Sequence, residues 1–207
     1  MGGTDTGIYN LTSATANFNV SRTFNSGINF TGSTGTVAFT GGTTQTFGSA
    51  YTFAASDPLL VLSANIVAAN PLTINNTFTW TSGTISGAGA LNTSGTTNFN
   101  SGTLDGKTWN NYGTANIGSA GNVFLNNTGS FNNQSTGTLN LTGTSSFQSN
   151  AVGSNVITNL GMGALTPYAS ASRCVAGSSG HKYGITEFQQ ASTQLAPRTF
   201  SVLPPLT

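Results

Sequence analysis

The sequence predicts an all-β chain, a single-stack parallel β-helix (β-solenoid) of right-handed sense, followed by an irregular C-terminal segment with one short helix. Three observations predict it. Apolar side chains recur two residues apart with Thr, Asn or Ser between them, the period of a strand with one buried face. Clusters of Gly, Asn and Ser separate these stretches, which is turn chemistry. Similar half-turns recur at short intervals, as in Ser82-Gly83-Thr84-Ile85 and Ser101-Gly102-Thr103-Leu104, 19 residues apart. A unit that small cannot bury its own apolar face and must stack on copies of itself.

The strand signals run in order along residues 1–160, the expected solenoid domain. Phe18 and Val20, Ile28 and Phe30, Val37 and Phe39, Leu72 and Ile74, Phe78 and Trp80, Val123 and Leu125, and Leu139 and Leu141 each keep the two-residue spacing. Turns are expected at Asn25-Ser26-Gly27, Thr40-Gly41-Gly42, Ser82-Gly83, Ser94-Gly95, Ser101-Gly102, Asp105-Gly106, Tyr112-Gly113 and Thr128-Gly129. The pattern reads as rungs of roughly 16 to 20 residues with two strands each, giving about eight or nine rungs at ~4.8 Å spacing and a rod near 40 Å long. Twelve side chains are expected inside the stack: Phe18, Phe30, Phe39, Phe53, Phe78, Trp80, Phe99, Trp109, Ile117, Leu125, Phe131 and Leu141. Asn110-Asn111, Asn126-Asn127 and Asn132-Asn133 are candidates for ladders in which stacked amides bond to one another.

Residues 161–207 read differently, as a C-terminal cap or irregular tail. Four of the six prolines, three of the five basic residues, the only His and the only Cys fall there. Thr186 ahead of Glu187, with Ile185, Phe188 and Leu195 apolar and a stop at Pro197, reads as one short capped helix.

Composition narrows the function. Thr, Asn, Ser and Gly supply about half of the 207 residues, while Asp, Glu, Lys and Arg supply 4%, against about 25% in an ordinary globular protein. A net charge of +1 cannot neutralise a run of phosphates, so no nucleic-acid partner is expected. With 36% hydrophobic residues the chain is too apolar for a polar linker, yet no apolar run approaches the ~20 residues of a membrane helix, so no membrane span is expected. The start Met1-Gly2-Gly3-Thr4-Asp5 has neither the basic nor the apolar region of a signal peptide, so export would be encoded elsewhere. A single cysteine, Cys174, excludes an internal disulfide framework.

The run Phe78-Thr-Trp-Thr-Ser-Gly-Thr-Ile-Ser-Gly-Ala-Gly-Ala-Leu91, then Thr103-Leu-Asp-Gly-Lys-Thr-Trp-Asn-Asn-Tyr-Gly-Thr114, then Gly121-Asn-Val-Phe-Leu-Asn-Asn127, resembles the Gly/Thr/Asn-rich repeats of large secreted bacterial β-solenoid proteins, of autotransporter-passenger or adhesin-like type. Val37-Ala-Phe-Thr-Gly-Gly-Thr43 fits the same style. The resemblance spans about 150 residues and implies a stalk at a cell surface or outside the cell. It carries no catalytic pattern.

Candidate chemistry is sparse. Glycoside hydrolysis needs two carboxylates within several ångströms of each other, and the four acids, Asp5, Asp57, Asp105 and Glu187, are scattered over the whole chain. The chain is therefore expected not to be an enzyme and to need no cofactor or metal. Asp105-Gly106-Lys107 reads as a tight turn followed by a solvated lysine, and Ser178-Ser179-Gly180-His181 as a polar loop. Cys174, His181 and Glu187 match no zinc spacing. Gly161-Met162-Gly163 lacks the third glycine and the helix of a dinucleotide loop. Asn10, Asn19, Asn29, Asn75, Asn92, Asn126, Asn133 and Asn140 begin glycosylation sequons, of the kind that arise by chance in so Asn- and Thr-rich a chain.

Among aromatic residues that could stack on sugars, Trp80 and Trp109 sit in phase with the core, which leaves Tyr51 and Tyr112 as possible glycan-stacking residues. Thr-x-Thr units at Thr34, Thr44, Thr77, Thr136 and Thr142 are spaced 10, 33, 59 and 6 residues apart, too irregular in sequence for a lattice-binding face with one unit per rung. The expected function is a non-catalytic structural or adhesive stalk segment, with a lattice or polysaccharide binding module (glycan or ice) as the alternative. Expected partners are a cell surface, glycans or further copies of the chain joined through rung ends.

Overall fold

A computed structural model describes residues 3–149, 155–165 and 198–201. All regular structure among them is β-strand, wound as a solenoid of about seven turns. The expected helix at Thr186 lies outside the described residues, as do Cys174, His181 and Glu187.

Each rung carries three short strands. The first holds β1 (Gly3–Asp5), β2 (Ile8–Asn10) and β3 (Thr15–Phe18); the second holds β4 (Arg22–Phe24), β5 (Asn29–Thr31) and β6 (Thr36–Phe39). The third holds β7 (Thr44–Phe47), β8 (Tyr51–Phe53) and β9 (Leu59–Ser63); the fourth holds β10 (Asn65–Ala68), β11 (Leu72–Ile74) and β12 (Phe78–Ser82). Then follow β13 (Thr84–Ser86), β14 (Leu91–Thr93), β15 (Thr96–Asp105), β16 (Thr108–Asn111) and β17 (Thr114–Asn126). β15 and β17 each pass from one face to the next, so that each closes one rung and opens another. The last rungs are completed by β18 (Ser130–Asn133), β19 (Thr138–Leu141), β20 (Ser146–Ser149), β21 (Val156–Asn159) and β22 (Met162–Leu165).

Every pairing from rung to rung is parallel and in register, which makes three faces. The first face runs from β1 to β20, the second from β2 to β21, and the third from β3 to β22. One antiparallel pair closes the list of strands: β23 (Arg198–Ser201) runs along β21, with Val156 opposite Ser201. It lies on the outer edge of the second face and satisfies backbone groups that a further rung would otherwise take.

Two details of the sequence-based expectation change. The rungs contain three strands instead of two, and register partners are separated by 18 residues (Leu91 to Trp109) up to 26 (Ser130 to Val156). Strands as short as Leu72–Ile74 show almost no alternation, so the third strand is hidden between two turn signals. Longer rungs mean fewer of them: seven steps of about 4.8 Å give a rod of roughly 34 Å. Second, Ser101-Gly102 is not a turn but the middle of β15, where the register shifts between Phe99 and Ser101. A Cβ on Gly102 would lie 2.5 Å from the Trp80 indole, so the glycine is required by close approach of the ring. At Gly83 the requirement is conformational, with φ +96° and the Ala64 carbonyl directly where a Cβ would stand.

All twelve side chains expected in the core are buried, none more than 5% exposed. Val20 is not in phase: β3 ends at Phe18, and Val20 is 40% exposed in the following corner. Toward the N-terminal end the interior is aromatic. Phe18 and Phe24 meet edge to face at 5.3 Å, and Phe30 stacks on Phe53 at 5.6 Å with ring planes 10° apart. The middle rungs continue this with Trp80 on Phe99 (4.9 Å) and Trp109 on Phe131 (4.8 Å), both edge to face. Such contacts add roughly 0.5–1.5 kcal/mol each to the burial of the rings themselves.

Candidate functional site

Tyr51 and Tyr112 do not form one platform. Tyr51 pairs in register with Leu72, which pairs with Leu91, which pairs with Trp109, so it occupies an inward-pointing position of the second face. Its ring packs on Phe30, Phe47 and Phe53, and its hydroxyl accepts the Phe30 N–H at 3.1 Å. Burial pushes its pKa up to about 12. The phase was legible in the sequence: Tyr51-Thr52-Phe53 repeats the pattern of Leu72-Thr73-Ile74. Tyr112 is 45% exposed in the corner after β16, three rungs further along and at the opposite end of the second face.

The acidic residues are each used locally and on different rungs. Asp5 receives the Arg22 guanidinium at 3.0 Å and the Tyr9 hydroxyl at 2.9 Å on the first rungs. Asp57 accepts the Ala54 N–H at 2.6 Å in the corner before β9. Asp105, at the end of β15, accepts from the Asn127 amide at 2.6 Å. Among the described residues no three His, Cys, Asp or Glu side chains come together as a metal would require. No helix among them is long and apolar enough to cross a membrane.

Lys107 corrects the sequence reading, which made it a solvated residue after a turn. Its side chain is fully buried, and Nζ donates to the Ala68 carbonyl at 2.8 Å and the Ser86 carbonyl at 3.4 Å. The corner Gly87-Ala88-Gly89-Ala90 carries almost no side-chain bulk, which leaves a channel through which the lysine of one rung reaches the two rungs before it. Desolvation lowers its pKa from 10.5 to about 8. Sequence inspection missed it because nothing adjacent in the chain marks a corner two rungs away as empty.

The Asn repeats form three ladders, two of them from the expected pairs. Asn110 and Asn111 point to opposite sides of their strand. Outside, Asn110 donates to Asn92 at 3.0 Å and Asn132 to Asn110 at 3.1 Å. Inside, the Trp109 indole N–H donates to Thr93 (2.9 Å), whose hydroxyl donates to Asn111 (3.2 Å); Asn111 donates to Asn133 and Asn133 to Asn159, both at 2.7 Å. Asn126-Asn127 does not join a ladder, because Asn127 bonds Asp105 instead. The third ladder, absent from the sequence expectation, lies on the outer surface of the third face, where Asn116 donates to Asn98 at 3.1 Å and Asn140 to Asn116 at 2.8 Å.

That outer surface is ordered along the whole rod. In one column Thr15 is opposite Thr36, Thr36 opposite Leu59, and further on Thr96, Thr114, Thr138 and Met162 are successive partners. In the neighbouring column run Asn17 and Ala38, then Val61, Thr79, Asn98, Asn116 and Asn140. Spacings of 18 to 24 residues between Thr96, Thr114 and Thr138 become one step each, because the corners absorb the difference in length. The third-face strands from β3 to β19 contribute no Asp, Glu, Lys, Arg or His to this surface. The first face, by contrast, carries Asp5, Arg22 and Asp105. No protein-family model, no curated protein and no solved structure matches this chain.

Proposed function

We propose that this chain is a non-catalytic stretch of rod, a structural or adhesive stalk segment of a secreted or cell-surface protein. The observation that carries this reading is the commitment of its described ionisable side chains to holding rungs together. Asp5 binds Arg22 and Tyr9, Asp57 binds a backbone N–H, Asp105 binds Asn127 and Lys107 binds two carbonyls. Acid–base catalysis needs two such groups facing one substrate, and these stand on separate rungs. The secreted or surface location rests on the resemblance of the Gly/Thr/Asn repeats to bacterial passenger and adhesin stalks.

The alternative, a binding module for a polysaccharide or ice lattice, is favoured by one specific observation: the uncharged, register-aligned columns of the third face. Binding and stalk functions are compatible in an adhesive rod. The test of the non-catalytic reading is to incubate the purified 207-residue chain with a panel of neutral and acidic polysaccharides and follow new reducing ends. No release is expected. Release that disappears in Asp57→Asn or Asp105→Asn would overturn it.

A further inference from the structure

We propose that the outer surface of the third face binds an extended, uncharged, β-linked polysaccharide chain lying along the rod axis. The assignment rests on the adhesive reading above and goes beyond it in naming the face and the polymer. Charge is the first argument. An acidic polymer needs cations to replace its counterions, and this surface offers none, while an uncharged polymer meets no desolvated ion here. Shape is the second. The two columns extend for roughly 34 Å but are only about 7 Å apart, two residues of strand rise. A linear polymer fits that outline, whereas a two-dimensional crystal face such as ice would need breadth as well.

Chemistry and spacing supply the rest. Sugar rings of an extended β-linked chain present C–H faces and hydroxyl edges, and successive sugars are separated by roughly one rung. The Thr96, Thr114 and Thr138 hydroxyls supply donors and acceptors at that interval, with the Thr methyls and Val61 as apolar contacts. The ladder Asn98–Asn116–Asn140 fixes the amides beforehand. Each amide in a ladder uses one of two N–H groups and one of two lone pairs, so one of each is left per rung to meet a ligand. Pre-organisation of this kind lowers the entropy lost on binding, and repetition along the rod lets individually weak contacts act together.

The experiment is co-sedimentation of the full chain with microcrystalline cellulose and with crystalline chitin, and retardation in gels containing a soluble β-glucan. Thr114→Glu places a charge in the centre of the surface, Thr138→Lys places one of opposite sign a rung away, and Thr84→Glu on the first face is the control. Binding to at least one of these glycans is expected, weakened about tenfold or more by both third-face variants and unchanged by the control. Melting curves establish that each variant is folded, and either third-face variant suffices if the other is not. Folded wild type that binds none of the three polymers would overturn the assignment and leave the stalk reading standing. Equal loss in Thr84→Glu, or ice adsorption without glycan binding, would overturn it too. Cleavage of a bound polymer would instead bring down the non-catalytic reading.

Discussion

The two ends of the rod are held together by different interior chemistry. In the first three rungs the space inside is filled by rings, with Phe18, Phe24, Phe30, Phe39, Phe47 and Phe53 in mutual contact. In the later rungs the rings thin out to Trp109, Phe131 and Phe147, aliphatic residues such as Ile117, Leu125 and Leu141 fill the remainder, and a buried amide ladder runs through the corner between the second and third faces. Aromatic packing tolerates variation in ring tilt, and tilts in the first rungs range from 10° to 88°. An amide ladder tolerates little, since each hydrogen bond needs its partner at the same corner of the next rung. The comparison teaches that a solenoid can enforce register either by bulk or by polar alignment, and that the second is the more exacting.

The largest effect is expected at the junction of the two regimes. Trp109→Ala removes a fully buried ring from the stack and strips Thr93 of its indole donor, and should cost about 3–5 kcal/mol in urea unfolding. An unchanged midpoint would mean that the ring is not core. Next comes pH. Lys107 has its folded pKa near 8 and its unfolded pKa near 10.5, so the unfolded chain binds more protons between these values and stability should rise with pH across that window. The rise is on the order of 3 kcal/mol. Tyr51 acts oppositely: with a folded pKa of about 12 against 10 unfolded, it should make stability fall above pH 10. Urea titrations from pH 7 to about pH 11 should therefore show a maximum near pH 10, and Lys107→Met should abolish its rising limb.

Smaller effects separate the regimes further. Asn133→Ala interrupts the buried ladder and leaves Asn111 and Asn159 each without a partner, for a cost of about 2 kcal/mol. Asn132→Ala, on the outside of the same strand, should cost only a few tenths of that. Equal costs would show that alignment inside the corner is no more exacting than outside. Gly102→Ala drives a methyl into the Trp80 indole and should cost about 1–2 kcal/mol, read as a lowered melting temperature. Least of all, Asp5→Asn weakens a partly exposed ion pair and should change stability by less than about 1 kcal/mol. A larger loss would mean that the aromatic end depends on its ion pair as well as on bulk.

Legibility followed the range of the interactions. The alternation of Phe78-Thr79-Trp80 and Leu139-Asn140-Leu141 needs only neighbours two residues away, and it placed the core side chains inside without a structure. Ladders at Asn110-Asn111 and Asn132-Asn133 were visible because both pairs share a sequence context ahead of a corner. Asn98, Asn116 and Asn140 share none, and so their ladder was not.

By itself the sequence determined the strand period, the parallel solenoid class and which rings face inward, since these follow from local phase and from a repeat too short to bury its own face. Only the tertiary structure decided how many strands make a rung, that Lys107 threads into a corner of glycines and alanines two rungs away, that Tyr51 belongs to the core, and that unevenly spaced threonines fall into one straight column. All four depend on how corners of unequal length bring distant residues into register. No pattern along a single chain encodes that distance, because a corner can gain or lose several residues while the strands on either side keep the same step.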